Sequence, residues 1–180
     1  ALYAAGVFDE QQVISLVAFR GQSMAEAVVD RACKMAAVIN LDREKVEACC
    51  AQAHEEFKDE VCNVVEPTNY NCPGQIVISG DVAPVDRAIE LLTEAGARRC
   101  IPLVVSGPFH TSLMKPAGDK LRERFKEEAF GDMKIPVVFN SLGRFKTEEE
   151  SIPALLEKQV QHSIYIEDSI RYMAEQGVDT

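Results

Sequence analysis

The sequence predicts an α/β protein: a larger body, residues 1–34 and 104–180, into which a smaller ferredoxin-like βαββαβ subdomain, residues 35–103, is inserted. Two observations carry this. Between 35 and 103, short apolar runs alternate with helical periodicity in the order β-α-β-β-α-β, which folds as one sheet with two helices on one face. Outside that stretch, helices of 3.6-residue period surround isolated apolar runs, as in layered α/β bodies.

Each element has its own signal. "ALYAAG" at the start resembles a helix. In "DEQQVISLVAFRGQSMAEAVVDRA", Asp9 is an N-cap residue, and Val13, Val17, Arg20, Met24 and Val28 recur at helical spacing on one face. "MAAVI" reads as a strand, followed by a helix from Arg43 to Glu56. "NVVEPTNYN" and "QIVISG" read as strands joined by a turn at Pro73 and Gly74. "APVDRAIELLTEAG" is a helix stopped by Gly96, before the strand "RRCIPLVVS". A helix from Ser112 to Ala129, a strand "IPVVFNS" and two helices after Ser151 complete the expectation.

Composition narrows the function. The net charge is -10, which opposes nucleic acid and anionic membranes unless positive charge is gathered locally. Six cysteines contain no C-x-x-C pair, which argues against zinc and for reduced thiols in a cytoplasmic protein. No glycine-rich phosphate loop, repeat or apolar span is present.

Two residues draw chemical attention. His110, in "VSGPFHTSLMKP", stands where a strand gives way to a helix, a position at which α/β sheets place catalytic groups; imidazole there is a natural general base. An ordinary loop histidine bonded to a carbonyl is the alternative. Arg20 interrupts an apolar stripe, either snorkelling outward or serving as a desolvated receptor for an anion. "GQSMA" with Ser23 is the only match to a nucleophile elbow; Ala25 replaces the second glycine and the helical stripe runs through it, but a Ser23/His110 hydrolase is an alternative.

Taken together, "VFDEQQVISLVAFRGQSMAEAV", "MAAVINLD", "PTNYNCPGQIVISG", "AIELLTEAGARRCIPLVVSGPFHTSLMKPAGDKL" and "IPVVFNS" resemble malonyl-CoA:acyl-carrier-protein transacylases. The resemblance implies the acyltransferase fold, a partial α/β-hydrolase-like body with the inserted subdomain. It implies malonyl transfer from malonyl-CoA to the phosphopantetheine thiol of acyl carrier protein through a serine ester, in fatty acid or polyketide synthesis, with these two substrates and no further cofactor or metal. It makes His110 the base, with Gln159 accepting the histidine's other N–H through its backbone carbonyl. Arg20 becomes the partner of the malonyl carboxylate, Phe109 and Met24 join it in binding substrate, and Asn69 and Asn71 flank the pocket.

The departures are specific. In that family a G-H-S-x-G-E nucleophile motif and a glutamine-containing oxyanion loop precede the segment matched here, and neither occurs in these 180 residues. The expectation is a central fragment, inactive alone. "RACK", Arg31 to Lys34, stands where the family has a glycine-rich connection. Arg98, Arg99, Lys115, Lys120, Arg122, Arg124 and Lys126 form the expected docking patch for an acidic carrier protein. A non-catalytic ferredoxin-like ligand- or protein-binding module is the other reading, and it has no need for Arg20 and His110 to converge.

Overall fold

The computed structural model describes residues 1–179. The elements in chain order are α1 (Glu10–Glu26), β1 (Cys33–Ile39), α2 (Arg43–Glu56), β2 (Val65–Cys72), β3 (Gln75–Asp81), α3 (Val82–Glu94) and β4 (Arg99–Leu103). After β4 come a 3₁₀ turn (Ser112–Met114), α4 (Lys115–Phe125), β5 (Val138–Phe139), β6 (Arg144–Phe145), α5 (Ile152–Gln161), β7 (Ile164–Tyr165) and α6 (Ile166–Glu175). No helix among the described residues is long and apolar enough to cross a membrane.

The main sheet has the order β4-β1-β3-β2-β7. The first four strands pair antiparallel, and β7 joins β2 in parallel with Asn69 opposite Ile164. Strand alternation assigns the two faces. Ala36, Val38, Ile76 and Ile78 pack with Val46, Cys50, Val85 and Leu92 of α2 and α3, while Met35, Ala37 and Val77 point the other way and meet Phe109. Phe109 also touches a second core, in which Leu16, Met24, Met114, Leu121, Phe125 and Val160 join α1, α4 and α5. The phenyl ring before His110 therefore wedges between the sheet and the helical core.

Local chemistry explains the starts and stops. Asp9 accepts from the Gln12 amide at 2.8 Å, and its own N–H donates to the Gln12 side chain at 3.1 Å, a reciprocal cap of α1. Gly96 (φ 101°) ends α3, with Gly96 and Ala97 N–H groups donating to Thr93 and Leu92 carbonyls. At the junction into β1, Arg31 grips the buried Asp81 with both faces of its fork, at 2.6 and 2.8 Å. Asp81 also accepts the Val64 N–H at 2.9 Å. This clasp ties the "RACK" segment to the start of β2 and the end of β3.

Several expectations needed correction. "ALYAAG" forms a single turn rather than a helix, because Gly6 (φ 84°) closes it and Val7 N–H bonds back to Leu2. The helix expected from Ser112 to Ala129 is a 3₁₀ turn and then α4, with Pro116 in its first turn, where a missing N–H is tolerated. It ends at Phe125, and the following chain turns away until Gly131 and Lys134 N–H groups bond Val7 and Ala5 carbonyls. Only Val138–Phe139 of "IPVVFNS" is strand, paired with Arg144–Phe145. The stripe on α1 is rotated: Leu16, Ser23, Met24 and Val28 are buried, but Val17 is 63% exposed. Helix α1 turns its Leu16 side toward α4, leaving the Val13–Val17–Arg20 edge to line an open pocket.

Candidate active site

The segment Gly107–Ser112 is built to hold one side chain. His110 has φ 63°, a left-handed conformation that is strained for a residue with a Cβ. Fully buried Thr111 stabilises the turn by donating its hydroxyl to the Pro108 carbonyl at 2.6 Å. A Cβ on Gly107 would lie 3.2 Å from a Val28 methyl, so the chain there runs close against the helical core. The strain is held by packing on both sides of the turn.

His110 Nδ1 lies 2.8 Å from the backbone carbonyl of Gln159 on α5. A carbonyl can only accept, so Nδ1 carries the proton and Nε2 presents its lone pair. Burial lowers the imidazole pKa from the ordinary histidine value. The Gln159 hydrogen bond opposes that shift, and the charge of Arg20 adds to it. The ring is thus neutral at neutral pH, with its basic nitrogen free.

Arg20 reaches the same residue by another route, donating to the Gln159 side-chain oxygen at 3.0 Å. Burial lowers the pKa of its guanidinium. Among the described residues no carboxylate forms an ion pair with it, although most other arginines of the chain have one. Arg20 and Gln159, with Tyr3 beside them, line an open pocket of about 280 Å³ whose apolar wall includes Leu2, Phe8, Leu16, Phe125 and Leu156. A half-buried cation lacking a counter-ion in an apolar pocket is equipped to take an anion.

The other candidate residues are placed differently. Met24 lies within the helical core beside Val28 and Met114, behind the pocket wall. Phe109 is the wedge described above. Asn69 and Asn71 are half-buried on β2, and Asn69 accepts the Thr68 hydroxyl at 2.8 Å. Ser23 lies buried inside the unbroken helix α1, not at a strand-to-helix elbow. That geometry removes the Ser23/His110 hydrolase, because the hydroxyl has neither the sharp turn nor the open face that a nucleophile requires.

The expected docking patch also changes. Lys115 pairs with Asp119, Lys120 with Glu26, Arg122 with Asp119 and Glu157, Arg124 with Glu128, and Lys126 with Glu123. Carboxylates on α4 and its neighbours neutralise these cations. Arg99 begins β4, opposite Ile39, at the far end of that strand from the His110 turn. Charge counting along the sequence missed both effects.

Reasoning from sequence also missed three contributors. Thr111 staples the turn, and Ser112 donates its backbone N–H, at 3.1 Å, and its hydroxyl to the Glu66 carboxylate on β2. The Pro108–Thr111 spacing was a usable signal, since a hydroxyl three residues after a carbonyl closes such turns. Glu66 carried none, because its partner is 46 residues away.

The lowered pKa of His110 has a consequence for stability. The unfolded chain binds this proton more readily than the folded one, so stability falls as pH drops through the ordinary histidine value of about 6.5 and levels off below the folded value. His110→Gln is expected to remove that component. Urea unfolding at a series of pH values from 7.5 to 5 checks it; an identical pH slope in the variant would contradict the buried neutral ring.

No protein-family model matches the chain. The malonyl CoA-acyl carrier protein transacylase of Escherichia coli K12 is 40% identical over 179 residues, 99% of this chain and 56% of that protein. The crystal structure of MCAT from Streptococcus pneumoniae superposes with a TM-score of 0.92 at 45% identity, covering 100% of this chain and 57% of that one. A type II PKS acyl-carrier protein in complex with its malonyl-transacylase (PlMCAT:AntF) gives 0.90 at 38%, covering 99% and 56%. The chain spans a little over half the length of the curated relatives it matches. Across that span the chain is similar in sequence and in fold to the malonyl CoA-acyl carrier protein transacylases.

Proposed function

We propose that this chain supplies the base and the carboxylate receptor of a malonyl-CoA:acyl-carrier-protein S-malonyltransferase, with the nucleophilic serine contributed by sequence outside these 180 residues. One observation carries the reading: Gln159 holds both His110, through its backbone carbonyl, and the counter-ion-free Arg20, through its side chain. A simple binding module has no use for that convergence.

In this reading His110 Nε2 takes the serine hydroxyl proton as the oxygen attacks the thioester carbonyl of malonyl-CoA. The C–S bond breaks, and the imidazolium returns the proton to the departing thiolate. The phosphopantetheine thiol of acyl carrier protein then loses its proton to the same nitrogen and attacks the malonyl ester, and the serine leaves with the proton restored. The Gln159 carbonyl keeps one tautomer throughout. Arg20 pairs with the free carboxylate of malonyl, the group that acetyl lacks, and Phe109, packed between the sheet and the helical core, fixes the position of the neighbouring His110. Asn69 and Asn71 on β2 and Met24 in the core face of the Arg20 helix lie outside the lining of the Arg20 pocket. The strand order of β1 to β4 supports reading residues 35–103 as a ferredoxin-like subdomain within the body. Six free thiols fit a cytoplasmic setting.

The test is intact-mass spectrometry after incubation with malonyl-CoA, comparing this chain with the same chain extended by its native coding sequence. A malonyl adduct on the extended chain alone is the expected result; no adduct on either would reject the proposal. In the extended protein, Arg20→Leu is expected to lower the malonyl-over-acetyl preference by about 10²-fold, because a buried charge-assisted pairing is lost. An unchanged preference would remove Arg20 from substrate recognition.

A further inference from the structure

We propose that Glu66 is a positioning residue for His110, acting from the small sheet through Ser112; this rests on the reading of His110 as the base. His110 occupies a strained backbone conformation, and a strained turn persists only when its surroundings over-determine it. Three restraints are visible. Thr111 closes the turn on Pro108, Gln159 holds the ring, and Glu66 accepts both the backbone N–H and the hydroxyl of Ser112, two residues beyond the histidine. The first lies within the turn and the second comes from the helical layer, while the third comes from β2.

Strand β2 holds the second restraint as well. Ser163, just past the end of α5, donates its hydroxyl to the Pro67 carbonyl at 2.7 Å, and β7 then runs parallel to β2 from Ile164. Adjacent residues 66 and 67 thus fix both the turn that carries His110 and the far end of the helix whose carbonyl orients its ring. Both partners of the Nδ1–Gln159 bond are referenced to one strand. Glu66 acts by placement: its carboxylate bonds Ser112, while the His110 ring bonds Gln159.

The role predicts a pattern that a general loss of stability would not produce. In the full-length transferase, Glu66→Ala is expected to lower kcat roughly tenfold or more, with KM for malonyl-CoA changed by less than about twofold, because sub-ångström misplacement of a base slows chemistry without weakening ground-state binding. Glu66→Gln is expected to recover most of the rate. Its amide oxygen can accept the Ser112 N–H and its amide N–H can donate to the Ser112 hydroxyl. The acid limb of the pH–rate profile keeps its midpoint in all variants. Ser112→Ala, at an exposed residue, gives a smaller fall in kcat and serves as the test even where Glu66→Ala folds poorly. Wild-type kcat in both Glu66→Ala and Ser112→Ala, with His110→Ala inactive, overturns the assignment of Glu66 alone. Glu66→Gln as impaired as Glu66→Ala would assign the effect to charge and also overturn it. An active His110→Ala would overturn the reading of the base, and this proposal with it.

Discussion

Replacing His110 by alanine in the proposed full-length transferase is expected to lower malonyl transfer by about 10²- to 10⁴-fold, the range that a positioned general base supplies. The loss should fall on kcat, since a base acts on the proton in flight while the substrate carboxylate pairs with Arg20. In the proposed mechanism both half-reactions should suffer, because the same Nε2 would accept the serine proton in the first and the thiol proton in the second. His110→Asn is expected to be as poor as alanine, having no titrating nitrogen. The acid limb of the wild-type profile should lie below the ordinary histidine value, because burial favours the neutral ring. Steady-state kinetics across pH with malonyl-CoA and carrier protein checks all of this, and a variant retaining a tenth of wild-type kcat would leave His110 a structural histidine.

The largest expected effect on folding comes from Gly80→Ala. Gly80 has φ 157° where β3 passes the start of β2, and a Cβ there would sit 1.9 Å from the Val64 carbonyl oxygen and 2.6 Å from its carbon. These are backbone atoms and cannot rotate away. The same crossing carries the Asp81 N–H bond to the Val64 carbonyl, the Val64 N–H bond to the Asp81 carboxylate, and the Arg31 fork. Moving Val64 aside would break the clasp and strand a carboxylate that is 1% exposed. A loss of about 4 kcal/mol or more is expected, much of the total stability of a domain this size. Urea unfolding of Gly80→Ala beside the parent measures it, and a change below about 1 kcal/mol would show that the crossing can relax.

Local signals were legible in the sequence wherever partners are close along the chain. Helix α2 falls on Arg43–Glu56 as its periodicity predicts, Asp9 caps α1, Gly96 closes α3, and the β2–β3 hairpin turns at Pro73 and Gly74. Each depends on bonds or spacings spanning a few residues, which composition and periodicity encode directly. Two-residue strands such as β6 and β7 have no periodicity to read: β6 closes a short hairpin on β5, and β7 exists because distant β2 offers it a partner.

The candidate site divides along the same line. Residue type alone marked His110 as a base and Arg20 as an unusual cation within an apolar stripe, and family motifs drew attention to Gln159. Whether Arg20 snorkels or is desolvated depends on how far α1 rotates against α4, which put Val17 outward and Leu16 inward. Whether the cations of α4 accumulate depends on which carboxylates its neighbours bring, and they bring enough to neutralise them. Glu66 joins the His110 turn only because the chain folds β2 against it. Propensity, capping and turn chemistry act over one or two turns of chain, so the sequence by itself determined most of the longer elements and the chemistry available. Burial, charge compensation and the support of a strained histidine are sums over neighbours distant in sequence, and the tertiary structure alone decided them.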